Sequence, residues 1–166
     1  QLQALAEAGN GRPGTASMED GPGGTLHPFL QMVAEHRVDD LRRELALLTV
    51  KAGLARFVTD VIAPLTALVG EAWARGELAI FEEHLYTESV QGVLRNAIAS
   101  IPRPGDSPRV LLTTVPQEPH GLGVLMAEAM FALEGARCVP LGVRTPVMEI
   151  VRGAESQQID IVALSF

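Results

Sequence analysis

Cysteine, lysine and aromatic residues are nearly absent from this sequence of 166 residues. The one cysteine, Cys138, excludes an internal disulfide and agrees with a reducing compartment. Lys51 is the only lysine and the net charge is −7, so the chain is a poor candidate for holding a nucleic-acid backbone by itself. No uncharged apolar run approaches the roughly 20 residues of a membrane helix. The amino terminus has neither the basic start nor the apolar core of a signal peptide. CxxC, HxxxH and HExxH spacings are missing, which argues against a zinc site. What remains is 47% hydrophobic and 20% charged, enough for one packed domain or two small ones. The expectation is a soluble, cytoplasmic protein with no membrane partner.

Residues 1–26 read as a linker, a short helix-capable piece (Leu2 to Ala8) followed by a Gly/Pro/Ser-rich stretch. Such a stretch is either a connection to a preceding domain or a ragged tail. From residue 27 to 101 the pattern is helical. His27 to Glu35 forms a short opening helix; Leu41, Leu45 and Leu48 mark a second. Phe57, Val61, Leu65 and Leu68 recur at helical spacing in a third, with Pro64 a kink and Gly76 an end after Trp73. Val90, Leu94, Ile98 and Ile101 share a face of a fourth. Four helices with short loops predict an antiparallel bundle.

Residues 102–108 hold three prolines and a glycine and read as a second linker. Residues 109–166 then change texture. Strand-like runs at Val110–Val115, Cys138–Val143 and Ile159–Phe166 alternate with helix-like segments at 121–134 and 146–157. That alternation predicts a β-α-β-α-β unit with a parallel sheet, a truncated doubly wound α/β domain. The missing strands suggest a fragment.

One corner of this unit carries chemistry. Glu118-Pro119-His120-Gly121-Leu122-Gly123 follows the first strand and opens a helix. Open α/β folds place their ligands at that carboxyl edge. A lone histidine there is more often a surface or capping residue than a ligand. Glu118, however, stands where it can hold one ring nitrogen, fixing the tautomer and raising the basicity of the other. Gly121 and Gly123 remove side chains where a large flat ligand needs close approach. A phosphate-cradling GxGxxG does not follow this strand. One imidazole backed by a carboxylate suits axial ligation of a metal already held in a macrocycle.

The Glu-x-His-x-x-Gly corner resembles the Asp/Glu-x-His-x-x-Gly motif of cobalamin-binding domains. The resemblance implies that His120 is the lower ligand of cobalt. Ser165 stands at the matching spacing from Gly123 for the family's serine, one residue before the last. In the bundle, Trp73 and Glu83-His84 form Trp-x9-Glu-His, which is similar to the signature of light-responsive regulators of the MerR type. Some members of that family carry a histidine directly after the tryptophan; here the position is Ala74.

The resemblance implies a sensory region of a transcriptional regulator and no enzymatic activity. Adenosylcobalamin would lie between bundle and α/β domain, with Trp73, Glu83 and His84 above, and His120, Glu118, Gly121, Gly123 and Ser165 below. It also implies a homo-oligomer, a tetramer in the family, with DNA bound through a winged-helix domain preceding residue 1. The competing reading is a corrinoid methyl carrier of a methyltransferase system. Such carriers show Asp-x-His-Asp-x-Gly-Lys, from which this chain departs at Glu118 and Val124. A third reading keeps the fold as an interaction module without the cofactor.

Overall fold

The computed structural model describes residues 26–102, 105 and 108–166. The expected amino-terminal linker up to residue 25, and part of the Pro-rich one, lie outside the described residues. Four helices come first. Helix α1, His27–Ala34, has Pro28 in its first turn, where a missing N–H costs nothing. Helix α2, Val38–Ala52, places Asp39 and Asp40 at its positive end and Lys51 at its negative end. Helix α3 runs Leu54–Ala74 and helix α4 runs Ile80–Ala99. Leu41, Leu45, Phe57, Ile62, Leu65, Val69, Tyr86, Val90 and Leu94 form the bundle core, none exposed by more than 1%. Its one buried phenol is satisfied: Tyr86 Oη donates to Thr66 Oγ1 at 2.7 Å, and that hydroxyl donates to the Ile62 carbonyl.

Helix α3 departs from the expected spacing. Residues Phe57–Ile62 form a π-helical segment, which inserts one residue into the turn. The apolar phase therefore slips: Phe57 and Leu65 are buried as expected, but Ile62 replaces Val61 and Val69 replaces Leu68 on the buried face. Pro64 does not break this helix. It falls in the first turn of the α-helical part that follows the π segment. Leu54–Ala74 is also long and apolar enough to cross a membrane by length and composition alone, which the reading of the sequence did not anticipate. In this fold it is a bundle helix that sends Phe57, Ile62, Leu65, Val69 and Ala72 into the core.

The second part contains β1 (Arg109–Thr114), α5 (Leu122–Leu133), β2 (Arg137–Gly142), α6 (Val147–Ser156) and β3 (Ile161–Ser165). The sheet order is β2-β1-β3 and both pairings are parallel. Alternation along β1 sends Val110 and Leu112 to the face covered by α5 and Ala136. Leu111 points the other way, against Gly153 of α6. Helices thus cover opposite faces, the doubly wound arrangement expected from the sequence. Helix α5 belongs to both halves of the molecule. Its Leu122, Leu125 and Ala129 join the bundle core, while Val124 joins the core beneath the sheet.

Candidate functional site

In a doubly wound sheet, ligands bind beyond the carboxyl ends of the strands where the connections diverge to opposite faces. With order β2-β1-β3, that point lies between the ends of β1 and β3. The loop after β1 contains Glu118 and His120; the end of β3 is Ser165.

Glu118 and His120 form a closed unit. Glu118 Oε1 accepts a hydrogen bond from the His120 backbone N–H at 2.7 Å and lies 2.6 Å from Nδ1. The backbone bond first, then the ring bond, hold the Glu118 carboxyl below the usual carboxylate range; Arg144 adds a smaller pull in the same direction. An ionised carboxylate can only accept, so Nδ1 carries a proton and, in the neutral imidazole, the lone pair is on Nε2. The His120 side chain is 84% exposed, so that lone pair is accessible. Such a carboxylate-backed imidazole is the arrangement of metal-ligating histidines.

The two glycines of the corner serve different neighbours. A Cβ at Gly121 would lie 3.0 Å from Val143 Cγ1, so this glycine admits the loop after β2. The close approach expected of a ligand is here an approach of protein. A Cβ at Gly123 would lie 3.7 Å from Ser165 Oγ, an ordinary contact, so Gly123 opens the gap between α5 and β3. That gap is a cleft of about 340 Å³ bordered by Leu112, Gly123, Ala127, Ala163 and Ser165. It is open and mostly apolar, with the Ser165 hydroxyl at one side, suited to the face of a flat heterocycle.

The bundle residues gather at one end of the helix pair. Trp73 lies at the end of α3, half exposed, and Glu83 and His84 lie in the first turns of α4. The turn between them closes as a Schellman motif: Gly76 N–H donates to Trp73 O and Glu77 N–H to Ala72 O, both at 2.9 Å, with Gly76 at φ 73°. Glu83 uses both oxygens, Oε2 lying 2.7 Å from His84 Nδ1 and Oε1 accepting from the Thr87 hydroxyl at 2.6 Å. Glu82 caps α4 through the Ala79 N–H at 2.7 Å and pairs with His36 at 2.8 Å. Those two bonds, the backbone one first, hold its carboxyl below the usual range.

Among the described residues, no hydrogen bond or ion pair joins this bundle group to the His120 corner. The helix that carries it reaches the corner further along. Gln91, two turns beyond Glu83, and then Arg95 border a groove of about 520 Å³ with Pro119, Gly121, Glu128 and Val143. Burial raises the Glu128 carboxyl above the usual range, partly offset by Arg95. Gln91, Arg95 and Glu128 escaped the sequence reading.

Comparisons with known proteins fall on the same parts. Residues 26–97 match the family model of the B12 binding domain. This stretch is the bundle. A curated relative, the HTH-type transcriptional repressor CarH of Myxococcus xanthus, is 33% identical over 106 residues, 64% of this chain and 35% of the repressor. The chain thus spans about a third of that relative's length. Among solved structures, the monomethylamine corrinoid protein of Methanosarcina barkeri superposes with a TM-score of 0.62 at 14% identity, over 82% of this chain and 66% of that one. The last likeness shows the fold: helices followed by a parallel α/β unit.

Proposed function

We propose that this chain is the cobalamin-binding sensory region of a transcriptional regulator, with His120 as the lower axial ligand of cobalt. The observation that carries the reading is the Glu118–His120 unit: a tautomer fixed by a carboxylate at 2.6 Å, with the second nitrogen facing solvent. It stands at the strand ends where this fold binds ligands, beside a cleft that fits a nucleotide-like tail. The match of residues 26–97 to the B12 binding domain supports the same reading from residues outside this corner, and the 33% identity to a repressor agrees with it.

Glu118 orients the imidazole and strengthens Nε2 as a donor. Gly123 and Ser165 border the slot for the tail. Trp73 offers an exposed aromatic face, and Glu83 and His84 polar groups, toward an upper adenosyl group. The chemistry the cofactor would supply is a cobalt–carbon bond that light can break. Loss of the upper group would remove contacts favouring one bundle arrangement, and differential contacts of this kind are what shift a two-state equilibrium. The readout would be a change in oligomeric state and, through a DNA-binding domain outside this chain, in DNA affinity.

Anaerobic reconstitution with adenosylcobalamin in the dark tests this directly. The expected result is a red complex that survives gel filtration, changes its absorbance and assembly state under green light, and is lost in His120→Ala. No complex, or one indifferent to His120→Ala, would sink the reading. Methyl transfer to a thiol with no response to light would favour a methyl carrier instead.

A further inference from the structure

The loop bearing His120 is fastened to a second loop, residues 142–146 after β2, by one buried hydroxyl. Thr114, the last residue of β1, is fully buried. Its Oγ1 donates to the Glu118 carbonyl at 2.6 Å and accepts the Arg144 backbone N–H at 2.8 Å. A hydroxyl has one proton, which is committed to the Glu118 carbonyl, while a lone pair takes the Arg144 N–H, so each bond goes to a different loop. Arg144 needs the fastening: its φ is 56°, in the left-handed region that a side chain with a Cβ occupies at a cost of about 1–2 kcal/mol.

Two more contacts run between the same elements. Thr113, also fully buried, lies 2.6 Å from Thr145 Oγ1 and donates to the Gly142 carbonyl at 3.0 Å. Thr113 accordingly accepts from the Thr145 hydroxyl. Val143 closes on Gly121 from the other side. The 142–146 loop is therefore pinned to the end of the central strand and grips the histidine loop through Thr114 and Val143.

We propose that Thr114 is a positioning residue for His120: it sets the height of the Glu118 carbonyl, and through it the carboxylate–imidazole unit, by tying that loop to Arg144. The proposal rests on the reading of His120 as a cobalt ligand. It adds that the geometry of the ligand is fixed by a loop that carries none of the motif residues.

Thr114→Val keeps the shape and removes the hydroxyl; Thr114→Ser keeps the hydroxyl. In the protein without cofactor, amide hydrogen exchange should speed up about tenfold or more at Glu118, His120 and Arg144 in Thr114→Val, while Thr114→Ser stays near wild type. Amides of Leu45 and Leu94 in the bundle core should be unchanged, which separates the clamp from general loss of stability. With hydroxocobalamin added, Thr114→Val should bind about tenfold more weakly and show a diminished imidazole-bound absorbance spectrum, restored by Thr114→Ser. Unchanged exchange at Arg144 and the loop in Thr114→Val would overturn the clamp. So would faster exchange accompanied by an unaltered bound spectrum and affinity. A wild-type protein with no imidazole-bound spectrum would defeat the reading of His120, and the exchange measurement would still decide the clamp. Should Thr114→Val fail to fold, Thr114→Ala against Thr114→Ser carries the same comparison.

Discussion

Single residues in this chain show how environment sets chemistry. Cys138 is half-buried on β2, its Sγ 3.7 Å from the Glu128 carbonyl, and burial, then the Glu128 charge, push its thiol up to about 11. A thiolate fraction falls tenfold for each unit that the pKa rises, so alkylation by iodoacetamide at pH 8 should run about a hundredfold slower than for free cysteine. The rate should climb steeply only as pH approaches 11; rapid labelling at pH 8 would contradict the burial. His120 and Glu118 lie at the opposite extreme, exposed and pre-aligned. Their pairing was legible in the sequence because two residues of separation at a strand end leave few other partners for either group. Thr113 and Thr114 were not legible. Threonine is a common strand former, and nothing in the sequence distinguishes a hydroxyl that fastens loops from one that fills a sheet.

At the scale of elements, β1 was the easiest to find because a strand covered on both faces is apolar throughout, as Val110, Leu111 and Leu112 show. Helix α4 was found through its face of Val90 and Leu94, both fully buried. Helix α3 was found but Val61 and Leu68 proved only partly buried, since the periodicity argument assumes 3.6 residues per turn and the π segment inserts one more. This has a measurable consequence. Ile62 is fully buried and Val61 only partly, so Ile62→Ala should destabilise the fold by about 2–5 kcal/mol and Val61→Ala by clearly less. Urea denaturation of both variants reads the difference. Equal losses would restore the regular spacing and contradict the π segment. The insertion also sits upstream of Trp73, so it sets the rotation at which α3 presents that ring.

On the scale of the whole molecule, the Pro-rich stretch between 102 and 108 suggests two independent units, yet the packing disagrees. Helix α5 lies after that stretch and still buries Leu122, Leu125 and Ala129 in the bundle core, with Met126 and Met130 packed against it. Neither core is complete without it. Heating should therefore give one unfolding transition, with bundle and sheet probes coincident, whereas two separated transitions would show that the shared helix contributes little. Only the boundary in the chain could be read from the sequence. The sharing could not, because it depends on which face of an almost uniformly apolar helix meets which neighbour.

The shared helix also bears on how such proteins diversify. Domains are often recombined as cassettes, and the natural cut in this chain would fall at the Pro-rich stretch. A bundle exchanged there would arrive without Leu122, Leu125 and Ala129, which travel with the sheet. Leu122 and Leu125, the residues left facing a foreign bundle, begin only two positions after His120. A chimera cut at that stretch would carry its mismatch directly into the loop that bears His120. A junction that keeps α5 with its own bundle, or inherits both from one parent, avoids this. Bundle and histidine loop are thereby coupled through one helix, although the sequence separates them by its most obvious seam.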